Sequence, residues 1–181
     1  MKNLFRNLLM VSIVCFLVGC TDKDSSPELD STKSQVKAED QNKEIPDTEK
    51  IEIVEEVKKL ALECAEVFGT LEQEPYMKYY LNSDIFTFVI NGQTIRSYSA
   101  FYDKVESSIK NLKQANVEYM DMYVDVFSRE FAVVHGPFNW TAIYQDGTHE
   151  EAKGHMSFVY VLHDREWKIV FASEIFPIEA Q

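Results

Sequence analysis

The C-terminal half of the chain alternates apolar and polar residues in long runs. Residues 131–144 (FAVVHGPFNWTAIY), 155–163 (HMSFVYVLH) and 166–176 (EWKIVFASEIF) read as three strands. Asp146-Gly147 between the first two is a hairpin signal, because both residue types tolerate positive φ. The second break, Asp164-Arg165-Glu166, is short and charged. Neither gap has room for a crossover helix, so these strands are expected to pair antiparallel. A fourth strand is expected from Val117 to Phe127, on the opposite side of the Ser128-Arg129-Glu130 turn. Its two faces are mixed: Tyr119, Asp121, Tyr123 and Asp125 on one, Met120, Met122, Val124 and Val126 on the other.

Upstream, the period changes. Val54, Val57, Ala61, Cys64 and Phe68 fall on one helical stripe, with Asp47 or Thr48 as cap and Gly69 as terminator. Pro75 is placed to open a short helical piece through Tyr79-Tyr80-Leu81. Ile85 to Ile90 reads as a strand, and Asn91-Gly92 as a turn. Ser97 or Ser99 caps a further helix with the stripe Phe101, Val105, Ile109, Leu112. Helices gathered on one face of an antiparallel sheet define an α+β fold.

The first 46 residues follow a different logic. Lys2 and Arg6 precede an apolar run from Leu8 to Val18 that ends in Leu17-Val18-Gly19-Cys20. This resembles the bacterial lipoprotein signal, in which cleavage before the cysteine is followed by its lipidation. The run is shorter than the ~20 residues a bilayer span needs. Residues 1–19 are therefore expected to be the signal peptide, Cys20 the lipidated residue and 20–46 a polar, disordered tether. The folded domain is expected over 47–178. Thr21 after the cysteine points by resemblance to the outer membrane, on its periplasmic face or at the cell surface. Cys64 then has no partner for an intrachain disulfide and reads as a core residue.

The formal net charge is −12. No cluster of Lys and Arg offers a phosphate-binding surface, so nucleic acid is not expected as a partner. Four histidines, 135, 149, 155 and 163, lack ligand spacing, so no metal and no cofactor is expected. There is no glycine-rich phosphate loop and no nucleophile elbow.

Taken in order, these pieces resemble the NTF2-like superfamily, in its SnoaL-like and DUF4440-type branch. The matching texts are Asn91-Gly92 before the capped helix, Phe131 to Gly136, the Asp146-Gly147 hairpin, Gly154 with Ser157, and Trp167-Lys168-Ile169-Val170. The resemblance implies a strongly curved sheet forming a cone, helices over one face, a pocket between them and homodimers through the outer face. A pocket would be lined by Tyr80, Phe86, Phe101, Tyr102, Tyr119, Tyr123, Trp140, Phe158, Tyr160 and Phe171. Members of the branch that act as enzymes use a pocket base and a hydrogen-bond donor. The candidates here are Asp121, His135 and His155. Many members place histidine one or three residues after the Trp-Lys-Ile-Val text. Here those positions are Phe171 and Ser173, with Glu174 adjacent and its facing open. The expectation is therefore a lipid-anchored envelope protein that binds a small apolar or amphipathic molecule in the cone without catalysis. The alternatives are a structural lipoprotein that uses the outer sheet face, or an isomerase-like or cyclase-like enzyme.

Overall fold

The computed structural model describes residues 44–176. The expected signal, the lipidated Cys20 and nearly all of the tether lie outside the described residues. The order of elements is α1 (Asp47–Gly69), α2 (Gln73–Met77), β1 (Thr87–Ile90), β2 (Gln93–Arg96), α3 (Tyr98–Asn111), β3 (Leu112–Tyr119), β4 (Tyr123–Ser128), β5 (Phe131–Tyr144), β6 (His149–His163) and β7 (Glu166–Ile175). No described helix is long and apolar enough to cross a membrane.

One curled sheet runs β2-β1-β7-β6-β5-β3, with β4 also paired to β5. Its centre is the antiparallel meander β5-β6-β7. The fold is α+β, as the periodicity predicts. Two two-residue turns, Asn91-Gly92 (φ 48°, 81°) and Asp164-Arg165 (50°, 69°), and the four-residue β5–β6 turn, with Gly147 at 84°, set the registers.

Alternation decides what each face of the sheet holds. Ala132, Val134, Phe138, Met156, Phe158, Tyr160, Ile169 and Ala172 point inward and are buried. α1 covers them with Ile53, Val57, Ala61 and Cys64, and α3 adds Phe101 and Val105. Ser97 caps α3 by accepting from the Ala100 amide. α1 has no side-chain cap. Pro46 takes the cap position in place of Asp47 or Thr48, and the helix stripe starts at Ile53, with Val54 half-buried.

Two further expectations need correcting. The single strand from Val117 to Phe127 is two strands, β3 and β4, that pair with successive halves of β5. The break lies opposite Gly136-Pro137. Met120 donates its amide to the Pro137 carbonyl at 2.9 Å. Pro137 has no N–H to return, so the ladder ends there. The chain then steps over Gly136, where a Cβ would stand 2.2 Å from the Asp121 carbonyl oxygen. The second correction is at the other edge. Residues 93–96 form β2 in a hairpin with β1, and β1 joins β7 in parallel.

Candidate functional site

The inner face of the sheet meets α1 and the α2 segment around a group of polar side chains. Cys64 comes from the buried stripe of α1. Tyr76 lies in α2 and Tyr80 one helical turn later, both buried. Tyr119 is the last residue of β3, and Tyr160 is on the buried face of β6. Glu174 comes from β7, opposite the fully buried Met156.

Glu174 reaches this face through a bulge. Phe171 pairs with Val159 and Ile169 with Tyr160, so Val170 is an extra residue between them. Without it, strict alternation from Trp167 and Ile169 would send 171 and 173 inward and 174 outward. With it, Ala172 and Glu174 share the inner face and Phe171 and Ser173 the outer one.

Burial sets the protonation of the group. It raises the phenols of Tyr76, Tyr80, Tyr119 and Tyr160 well above their ordinary range. It pushes the Cys64 thiol up to about 12 and the Glu174 carboxyl up to about 7. Glu174 also disfavours ionisation of Cys64, Tyr76, Tyr80 and Tyr119, which places all four within range of its charge. Near neutral pH the group is therefore a set of uncharged O–H and S–H donors, with one carboxyl at its titration point.

The donors outnumber their internal acceptors. The Cys64 thiol donates to the Tyr80 oxygen at 3.9 Å, and the Tyr76 and Tyr80 hydroxyls share one hydrogen bond. Two phenols hold two protons, and one bond between them uses one. The Tyr160 hydroxyl is buried with no partner among the described residues. Around these groups the walls are apolar: Phe86 and Phe101 pack on Tyr80 with ring centroids 5.6 and 4.9 Å away.

An unpartnered buried hydroxyl costs stability. Tyr160→Phe is expected to stabilise the ligand-free domain by about 1 kcal/mol in urea unfolding. A loss of stability would show that the hydroxyl is bonded in solution.

The residues expected from sequence are distributed as follows. Tyr80, Phe86, Phe101, Phe158 and Tyr160 are buried in the interior. Tyr119 is half-buried at its margin, and Trp140 packs 5.8 Å from Phe68 toward the α1 C-terminus. Tyr102 points away and donates to the Glu74 carboxylate. Tyr123 is exposed on the outer face of the sheet, and Phe171 shares that face with Val159. The three acid–base candidates also stay outside. Asp121 sits in the exposed β3–β4 break, where the Tyr123 hydroxyl (2.6 Å) and the Met122 amide (2.9 Å) hold its carboxyl below the usual range. His135 lies 3.3 Å from Asp125 and stacks between Tyr123 and His155, at 5.5 and 6.1 Å. The interior groups absent from the expected pocket lining are Tyr76, Glu174 and Cys64, the last of which is expected in the core but not in a polar group. Only Glu174 carried a signal, as the acid beside the positions where the branch places histidine. Among the described residues no three His, Cys, Asp or Glu converge as a metal site.

Solved structures share this arrangement of elements. An NTF2-like superfamily protein from Salmonella enterica aligns with TM-score 0.57 at 18% identity, over 74% of this chain and 94% of that one. A protein from Streptomyces avermitilis, named as a candidate dehydratase of the NTF2-like family, aligns with TM-score 0.65 at 14% identity, over 71% and 99%. The fold is the NTF2-like cone. An NTF2-like protein of unknown function from Shewanella oneidensis aligns with TM-score 0.57 at 13% identity, over 68% and 98%. No family model and no curated protein matches the chain. NTF2-like neighbours thus include candidate enzymes and proteins of unknown function, and the site itself has to carry any functional argument.

Proposed function

We propose that this chain is an exported, lipid-anchored NTF2-like protein whose cone binds a small uncharged molecule with an apolar body and oxygen acceptors. The observation that carries the reading is the surplus of buried donors. The Tyr160 hydroxyl is buried without a partner among the described residues, and the Tyr76 and Tyr80 hydroxyls share a single hydrogen bond beside the Phe86 and Phe101 rings that pack on Tyr80. Buried polar groups are normally satisfied, and an exception in an apolar interior suits a ligand that supplies the missing acceptors. Glu174 in its protonated form adds another donor. Cys20, with its lipid, would hold the domain at the outer membrane.

A second reading is favoured by one observation, the Glu174 carboxyl at about 7. A carboxyl poised near neutrality beside a phenol pair is what proton abstraction next to a carbonyl requires: a base, and a donor for the developing oxyanion. On this reading Glu174 moves the proton, and Tyr76 and Tyr80 hold the oxygen.

The test is native mass spectrometry of the full-length chain extracted in mild detergent from a bacterial envelope, followed by denaturing analysis. The binding reading expects one small neutral molecule per chain, lost in Tyr160→Phe. It also expects a protein mass that starts at a lipid-bearing Cys20, and an unprocessed, lipid-free chain for Cys20→Ser. A ligand-free chain from every preparation would overturn the binding reading. A released molecule that wild type converts on re-incubation, and Glu174→Gln does not, would establish the second reading. The intact mass also reads whether the chain is a monomer or a homodimer.

A further inference from the structure

The sheet ends at β3, and this edge is open where it meets α1. A groove of about 350 Å³ runs between them, lined by Leu62, Ala65 and Glu66 of α1 and by Asn116 to Tyr119 of β3. Leu62 is a large apolar residue left 50% exposed on its wall.

The backbone phase of β3 sets which groups face the groove. Met120 donates to Pro137 of β5, and the register of β3 on β5 is regular from Gln114 to Tyr119. Ladder bonds alternate along an antiparallel pair, so Glu118 and Asn116 bond to β5, as Met120 does. Ala115, Val117 and Tyr119 then turn their N–H and C=O groups the other way, toward the open edge. At Ala115 the helix end at Gly69 closes in, where a Cβ would stand 3.3 Å from the Ala115 carbonyl oxygen. Beyond it, Val117 and Tyr119 have no backbone partner outside the sheet among the described residues. The start of β3 carries edge protection, a register shift between Leu112 and Gln114 and the exposed Lys113. The stretch from Asn116 to Tyr119 carries neither.

The groove also has a charge. Its lining includes two acids, Glu66 and Glu118, and no base. Neither acid has an ion-pair partner among the described residues, and the chain as a whole is at −12. A second copy of so acidic a chain is a poor occupant. A basic one is complementary.

We propose that the β3 edge at Val117 and Tyr119 docks an extended segment of another protein in which apolar and basic residues alternate. Its backbone would continue the sheet beyond β3. Alternate apolar side chains would enter the groove against Leu62 and Ala65, and the basic ones would reach Glu66 and Glu118. This surface lies at the sheet edge and meets the cone group only at Tyr119, which belongs to both.

The probe is a labelled eight-residue peptide of lysine alternating with valine and leucine. Its counterpart has glutamate in place of lysine. With the full-length chain, the lysine peptide is expected to bind and to slow amide exchange over residues 115–119. The glutamate peptide is expected not to bind. Leu62→Asp should weaken the lysine peptide about tenfold or more, and so should the double variant Glu66→Lys, Glu118→Lys. Leu62 is half exposed and the two acids lie on the surface, so the double variant keeps the test valid if the aspartate disturbs α1. No binding of the lysine peptide overturns the proposal. So does binding that ignores both variants, which would be attraction to net charge alone, or binding without protection at 115–119. A chain that dimerises through this edge without peptide also overturns it.

Discussion

Replacing Gly136 with alanine should lower the thermal midpoint of the domain by roughly 10 °C, from a loss of about 3 kcal/mol. The added methyl would stand 2.2 Å from the Asp121 carbonyl oxygen, 3.1 Å from its carbonyl carbon and 3.4 Å from the Met122 Cα. All three atoms are backbone, so no rotamer change relieves the clash. The segment between β3 and β4 has to lift away from β5, and the strands on both sides share its ladder. Two other glycines serve as internal controls. At Gly154 the close atoms at 2.6 and 2.7 Å belong to the Phe138 ring, which can turn, although the Ile175 carbonyl oxygen lies at 3.0 Å. Gly154→Ala is expected to cost less. At Gly92 nothing lies within 4 Å, but φ is +81°, so Gly92→Ala is expected to cost about 1 kcal/mol through backbone strain alone. Circular-dichroism melts of the three variants rank these costs. If Gly136→Ala melts within ~2 °C of wild type, the crossing at Asp121 is not a fixed part of the fold.

Glu174→Gln should make the domain more stable than wild type at pH 8, by about 2 kcal/mol, and lose that advantage at pH 5. The sign follows from the direction of the shift. The folded chain holds the Glu174 proton up to about 7, whereas the unfolded chain releases it near 4.5. Between those values folding takes up a proton, so stability falls as pH rises and levels off above about 7. A gap of this size corresponds to about 3 kcal/mol at most. Part of the Glu174 side chain remains accessible, so solvent screening brings the figure down. Other acids run in the opposite sense. Asp121, Asp146 and Glu166 are held below their ordinary range by hydrogen bonds and by Lys168, and they lose stabilisation in acid. The comparison therefore has to be the difference between variant and wild type in urea unfolding at each pH. Parallel curves would mean that water reaches the carboxylate freely. That result would also remove the support for acid–base chemistry at Glu174.

The fold was legible where its determinants are local. Asn91-Gly92, Asp146-Gly147 and the charged pair Asp164-Arg165 each permit positive φ, and each sits at the turn it was expected to make. Alternation puts His135 on the side of Val133 and His155 on the side of Ser157 and Val159, and the structure carries that phase through Pro137, with Val134, Phe138, Met156, Phe158 and Tyr160 on the buried side. The interior part of the site was less legible. Tyr160 could be placed by pattern, because β6 keeps an unbroken period, whereas Tyr80 lies past the end of α2 in an isolated bridge to Ile169. Asp121, His135 and His155 carry the chemistry a base needs, and pairing puts all three on the outside. Cys64 read correctly as a core residue. Its role as neighbour to four phenols depends on how α1 lies across the sheet.

Sequence alone determined the α+β class, the meander, the turn positions and the acidic character of the chain. Those follow from period, φ preference and charge, which each residue carries with it. The tertiary structure decided which side chains meet. One extra residue at Val170 moves Glu174 from the outer face to the inner one, and one proline on β5 splits its neighbour into β3 and β4. A bulge depends on how two distant strands share their hydrogen bonds, and no single segment contains that information.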